Sequence, residues 1–552
     1  MRRATHRTPL LGIAAVFAAC VLVLFALAPN AFADEYGVSV AGTPVTRENA
    51  ADVLDDGTVS YDSATHTLTL NGASLQDAGR SDQVISSTIT ETLNIVLVGE
   101  NGIYLPSEYA IGVRAQGGIA FSGSGSLVFS LEGNGAECVR SVDGPVSVTG
   151  TTLRLEGLAA GMRPYGITCE NGDISLIDAT VTGSCFAGIR AESGSIAISG
   201  SSVTLTPVTH SPYTVEGLGI AAHDIVIDRG SAVDVRSSDP LGADGAIRIA
   251  DSTVQSKVSP NSYSYAIGAI SGDLSIENST VVAEADRSSA LGTMGNLVIT
   301  GTSNVTVSSE SRTESAIGVA ERVTIDGLVT IDASKTNGLA FSLSAYFDAH
   351  MPQTPAGGLF DLYRGSNADD AAAAPGSPFA AGADISSLIR TSNRYWPRYW
   401  SIREHVHTFD QQVASDKFLA EPATCSSPAE YHLSCTCGAV GDATFASGAV
   451  DADAHEWGQD DVCSLCGTVD PDQGGAAGSG QGGTTDAGKN GASGGTAKQP
   501  GKGGSSLART GDPLAGAAAL CVAAAAGALG VIASRKRGSR RYRAEDTRGC
   551  VA

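Results

Sequence analysis

Two close cysteine pairs are the groups in this 552-residue chain best suited to chemistry. Cys435-x-Cys437-Gly438 and Cys463-x-x-Cys466-Gly467 each put two thiols on a tight turn that ends in glycine. Cys425, His405, His407 and His455 lie near them in sequence. Thiolate and imidazole are the ligands zinc prefers, and a paired set of thiolates supplies two corners of a tetrahedron. An exported protein has a second use for such thiols, which is disulfide bonding. The cysteines from Cys425 to Cys466 are odd in number, so they cannot all pair with one another. The sequence leaves both chemistries open. In either case Cys435, Cys437, Cys463 and Cys466, with Cys425, His407 and His455 as further ligands, form a staple for a segment too short to build a large core. Catalysis is not what this arrangement points to.

Other reactive constellations are sparse. No G-x-S-x-G, H-E-x-x-H, P-loop or dinucleotide-binding fingerprint occurs, and no catalytic residue is assigned. Acids recur near turns at Asp173, Asp178, Asp224, Asp228, Asp251, Asp273, Asp326 and Asp332. If such positions stack, their oxygens can gather calcium. Asp also favours turns on its own account, and that is the stronger reading. His223 beside Asp224 has no visible third partner. Cys138, Cys169 and Cys185 read as small buried core residues.

The elements that must position these groups are short strands. From Gly37 to about Leu343, runs such as Ile174-Ser175-Leu176-Ile177 and Leu274-Ser275-Ile276 alternate between turns rich in Gly, Asn, Asp and Ser. An apolar residue beside Gly or Ala returns at Ile111, Val139, Ile167, Ile189, Ile220, Ile247, Ile267, Leu291, Ile317 and Leu339. A unit of twenty-odd residues with two or three strands is one coil of a solenoid, and stacked coils bury what one coil cannot. The fold expected is all-β, a right-handed parallel β-helix over 34–403 with caps at both ends. Longer intervals between coils are expected to fall in loops on one side. Aromatics make up only 5% of the chain, and the repeat is too short for immunoglobulin-like sandwiches. Tyr395, Trp396, Tyr399 and Trp400 either pack the far cap or offer a platform for sugars. A Cys/His module over 404–471 and a Gly/Ser-rich linker over 472–506 follow.

The ends speak to location. Arg2, Arg3 and Arg7, the apolar run to Leu27 and Ala31-Phe32-Ala33 form a secretory signal peptide over 1–33. The uncharged stretch 514–533 is long enough to span a bilayer, and the basic residues from Arg535 onward orient the tail to the cytoplasm. Leu507-Ala508-Arg509-Thr510-Gly511 stands just before that span. Motif, span and basic tail together resemble the C-terminus of sortase-anchored wall proteins of Gram-positive bacteria. This chain carries Ala508 where their L-P-x-T-G motif has proline. The resemblance implies sortase and peptidoglycan as partners, with cleavage between Thr510 and Gly511. Asp and Glu number 58 against 35 Lys and Arg, a net charge of −23, which argues against nucleic acid and anionic lipid as partners.

Two further resemblances shape the functional expectation. His407-Thr408-Phe409-Asp410, Cys425, Cys435-Thr436-Cys437-Gly438, His455-Glu456-Trp457 and Cys463-Ser464-Leu465-Cys466-Gly467 are similar to a recurrent Cys/His module of bacterial surface proteins. In its coil pattern the solenoid resembles β-helical proteins of the Gram-positive surface, some of which bind carbohydrate, including polygalacturonate binders that use calcium. The expectation is a non-catalytic, surface-displayed adhesin that binds an extracellular glycan. A β-helix polysaccharide lyase or hydrolase and a purely structural spacer are the alternatives.

Overall fold

The computed structural model describes residues 35–472, apart from 78, 80–81, 158–162, 208–216, 342–345, 354–357, 374–377 and 390–397. The signal peptide, most of the linker, the sorting motif, the apolar span and the basic tail lie outside the described residues. Among the described residues no helix is long and apolar enough to cross a membrane. Two compact units divide between Glu404 and His405.

The first unit is an all-β solenoid of about ten turns with very little helix. One coil shows the construction. Ile174–Ile177, Thr180–Cys185 and Ala187–Ala191 are three short strands, and the next coil begins with Ile196–Ser199. Each strand pairs in parallel with its counterpart one coil on: Ile174 with Ile196, Thr180 with Ser202, and Ala187 with Leu218. The two-residue period of each strand sends alternate side chains inward. Leu93, Ile119, Val146, Ile174, Ile196, Ile225, Ile247, Leu274, Leu297 and Val323 therefore stack in one buried column. Leu127, Leu153, Val181, Val203, Val233, Val254, Val281 and Val305 form a second.

The third column corrects the sequence reading at three places. It runs Ile85, Val113, Val139, Ile167, Ile189, Ile220, Leu241, Ile267, Leu291, Ile317 and Phe341. Val113 stands where Ile111 was expected, Phe341 replaces Leu339, and Ile247 belongs to the first column. Apolar residues recur every second position and small residues flank several of them. The apolar-plus-small signature therefore fits more than one register, and only strand pairing chooses.

A buried corner carries a second device. The hydroxyls of Ser201, Ser231, Ser252, Ser279 and Ser303 each accept the backbone N–H at the matching corner one coil earlier, from Ala179, Ser201, Ser231, Ser252 and Ser279. Each hydroxyl donates in turn to a carbonyl of its own coil. A buried N–H must find an acceptor, and here a side chain provides it. Ser252→Ala leaves the Ser231 N–H only its 3.2 Å bond to the Asp228 carbonyl and is expected to cost about 1 kcal/mol. Faster amide exchange at Ser231, together with a lowered unfolding midpoint, would register it.

Both ends turn antiparallel. Val59–Asp62 and Thr67–Asn71 form a hairpin at the start, and Glu35–Val40 runs against Gln83–Ser87. At the far end Tyr399–Glu404 runs against Leu359–Gly365 and against Thr330–Asp332 of the last long strand. Such strands close what would otherwise be open sheet edges. Tyr399 and Trp400 are buried there, Trp400 packing 6.5 Å from the rings of Phe341 and Phe347. The sugar-platform reading of Tyr399 and Trp400 therefore fails, and the cap-packing reading holds. Tyr395 and Trp396 lie outside the described residues.

The second unit contains a three-stranded antiparallel sheet, Leu419–Glu421, Ala429–Ser434 and Val440–Ser447. Its apolar core is thin. Phe418, Ala429, Cys435 and Cys463 are its buried apolar side chains among the described residues.

Candidate functional site

Backbone geometry explains how the cysteine pairs are presented. Cys435 and Cys437 occupy the turn between Ala429–Ser434 and Val440–Ser447. The Gly438 N–H donates to the Cys435 carbonyl at 2.8 Å, and the Cys435 N–H to the Ala439 carbonyl at 2.9 Å. Gly438 sits at φ +82°, a conformation that favours glycine. The second pair repeats the device: Gly467 donates to Cys463 at 2.9 Å, Cys463 to Thr468 at 2.7 Å, and Gly467 has φ +74°.

Each turn receives its remaining ligands from elsewhere in the chain. Gln411 and Ser434 exchange backbone hydrogen bonds of 2.9 and 3.0 Å, drawing the His405–Phe409 stretch alongside the first turn. Ser464 donates to Glu456 at 2.9 Å, which sets His455 beside the second. Cys425 donates its N–H to Ala454 at 3.3 Å and joins the same group. Two sets result: His405, His407, Cys435 and Cys437, and Cys425, His455, Cys463 and Cys466. Within each set all ligand atoms lie within 4.8 Å of one another. His405 Nε2 is 3.1 Å from Cys435 Sγ, and His407 Nδ1 is 3.2 Å from Cys437 Sγ. His455 Nδ1 is 3.3 Å from Cys466 Sγ, and the Cys425 and Cys463 sulfurs are 3.5 Å apart. A tetrahedral zinc ion with bonds of 2.0–2.3 Å has ligand-to-ligand edges of roughly 3.3–3.8 Å. Both sets can hold a metal ion. The sequence reading named every one of these residues but drew them as a single staple.

The electrostatics favour a cation at both places. Burial works against ionisation of Cys435, yet the Cys437 N–H, His407, the Thr408 N–H and His405 bring its thiol down to about 5. At Cys463 burial again opposes, and the Cys466 N–H, His455, the Leu465 N–H and Cys425 bring the thiol down to about 6. Cys425 is pushed up to about 12, first by burial and then by Cys466 and Cys463. A third thiolate in that group ionises readily only when a cation sits among the sulfurs.

The three solenoid cysteines are free and buried. Burial pushes the Cys169 thiol up to about 11 and the Cys185 thiol up to about 12, so both are poor nucleophiles. The turn acids serve the backbone. Asp173 accepts the Ser195 N–H, Asp224 the Ala246 N–H and Asp273 the Asn296 N–H, at 2.8, 2.6 and 2.8 Å. Asp178 and Asp251 hold left-handed turn positions at φ +49° and +48°. Among the described residues the acids form no group of three that could hold an ion. Lys257 lies on the strand Thr253–Val258 with its ammonium 2.6 Å from Glu284. His223 is exposed and lies 3.9 Å from the half-buried Asp224.

The longer connections fall on one side, as their intervals implied, but the residues of a candidate surface there were not picked out in the sequence. The connections that follow the second strand of each coil vary most in length, and they all leave the same corner of the solenoid. Tyr104, Tyr109, Tyr165 and Tyr263 stand along that edge, Tyr109 48% and Tyr263 60% exposed. Three successive connections enclose an open groove of about 320 Å³ lined by Tyr263, Asp286, Arg287, Glu310, Ser311 and Thr313. Arg287 lies 5.4 Å over the Tyr263 ring and donates to the Tyr263 hydroxyl at 3.1 Å and to Asn261 Oδ1 at 2.5 Å. Its guanidinium is 3.7 Å from Asp286. The available signal was tyrosine in an aromatic-poor chain, with Tyr109 and Tyr263 falling in the intervals between strands.

No family model, curated protein or solved structure matches the chain.

Proposed function

We propose that this chain is a non-catalytic glycan-binding adhesin displayed at the envelope of a Gram-positive bacterium. The observation that carries the reading is the groove at Tyr263. An exposed ring, a planar guanidinium, two carboxylates and two hydroxyl side chains on adjacent connections can grip a polyhydroxylated ligand: the ring covers an apolar sugar face and the polar groups orient its hydroxyls. The signal peptide, the Gly/Ser-rich linker, the Leu507–Gly511 motif and the apolar stretch 514–533 supply export and tethering, with sortase and peptidoglycan as partners. The solenoid takes the right hand usual for parallel crossovers. The small module is a zinc-held unit between coil and linker.

Asp286 and Glu310 beside Arg287 keep a second reading in view, a polysaccharide lyase or hydrolase acting in the same groove. A glycan array probed with the chain, with calcium and with chelator, separates the readings. Saturable binding to one glycan class without product release supports the adhesin. Release of reducing ends or unsaturated sugars moves the assignment to the enzyme, and a blank array with no cleavage moves it to a structural spacer. Tyr263→Ala is expected to weaken binding by at least tenfold, with no change in the unfolding midpoint because the ring is exposed. Mass spectrometry of wall-linked peptides ending at Thr510 tests the tether.

A further inference from the structure

We propose that the module binds two zinc ions in separate sites, one of two histidines and two cysteines and one of a single histidine and three cysteines. This rests on the reading of the module as zinc-held and goes beyond it in number, ligand assignment and symmetry.

The argument starts from a repeat that the folded chain makes visible. Each site is built from a histidine two residues before an aromatic, and from a cysteine pair on a turn closed by a left-handed glycine. His407-x-Phe409 serves the Cys435 turn, and His455-x-Trp457 serves the Cys463 turn. In both, the aromatic stacks on its histidine, with ring centroids 5.8 Å apart in the first and 4.7 Å in the second. Packing of this kind fixes an imidazole before the metal arrives, the role that supporting residues play around metal sites. Three ligands thus come from one motif used twice. The fourth differs: His405 completes the first site and Cys425 the second.

This arrangement accounts for the odd cysteine number. Two thiols belong to one site and three to the other, and none of the five is left over. Disulfide pairing must strand one. It also has little to recommend it within the first site, where Cys435 and Cys437 are separated by a single residue and each sulfur lies 3.1–3.2 Å from an imidazole nitrogen. Each site has one buried cysteine, Cys435 or Cys463, and at least one exposed ligand, His407 or Cys466. The ions therefore enter from solvent and anchor to the interior. With four tetrahedral ligands each, neither site keeps an open position for substrate, which marks both as structural.

The test is metal counting and X-ray absorption on the full chain, purified in detergent under reducing conditions without chelator. Two zinc ions per chain are expected, with a first shell averaging 2.5 sulfurs and 1.5 nitrogens from the two ligand sets. Cys437→Ser with His407→Ala should leave one ion with three sulfurs and one nitrogen. Cys466→Ser with His455→Ala should leave one ion with two of each. If either variant fails to fold, the stoichiometry and shell of the unaltered chain decide. One zinc per chain, or a four-sulfur shell, overturns the two-site assignment while keeping a zinc module. No zinc, with a Cys425–Cys463 disulfide in peptide maps of chain prepared without reductant, overturns the zinc reading as well.

Discussion

Chelation of the full chain at neutral pH is expected to unfold the described residues from His405 to Asp472 while the solenoid keeps its amide protection. The expectation follows from the thin apolar core of the module. Of its four buried apolar side chains among the described residues, two are the ligands Cys435 and Cys463. Without metal, little remains to offset the conformational entropy of ordering the chain. Structural zinc contributes an apparent binding free energy of about 10–16 kcal/mol at neutral pH, more than a module of this size can otherwise gather. Hydrogen exchange with and without chelator would show protection lost across Ala429–Ser434 and Val440–Ser447 and retained in the stacked coils, which contribute none of the ligands. Persistence of the three-stranded sheet in chelator would mean that the module is held by something other than metal.

The second large effect concerns the solenoid. Ile198 is fully buried, paired with Leu176 on one coil and Ile227 on the next. Ile198→Asp places a carboxylate in an unbroken apolar column with no cation to meet it, a cost of several kcal/mol. Ile198→Val removes one methylene and is expected to cost about 0.5–1.5 kcal/mol. Because each coil touches its neighbours, the damage should be local. Exchange protection is expected to fall around Ile174–Ile177, Ile196–Ser199 and Ile225–Asp228 while Leu297–Ser309 and Arg322–Asp332 stay protected. Uniform loss across every coil would show that the solenoid unfolds as one unit.

These two cases also show what the sequence discloses and what it withholds. The strands were legible because alternation of Ile and Val with polar residues has a period of two and little else does. Coil stacking was legible because segments such as Gly172–Val181 and Gly272–Val281 are near copies. Register was not, since Ile111, Ile247 and Leu339 satisfy the same apolar-plus-small rule as the true column members. The metal ligands were legible by type and the division between them was not. Cys425 has no thiol beside it in sequence, and its allegiance is set by backbone hydrogen bonds from Cys425 to Ala454 and from Asp451 to Thr424. The groove was hidden because its residues come from three connections whose alignment depends on the strand pairing beneath them.

The serine corner and the parallel columns have a consequence for how the chain acquires its structure. Every hydrogen bond that a serine hydroxyl accepts at that corner reaches from one coil to the next, 21 to 30 residues on. Contacts between neighbouring coils need no distant part of the chain to be present. The hairpin of Val59–Asp62 and Thr67–Asn71 is among the first segments to leave a ribosome or an export channel, and it offers a finished edge on which the next coil can register. Growth then proceeds vectorially, each completed turn serving as the template for its successor. Acquisition of structure can keep pace with delivery, so the apolar columns need never stand exposed together.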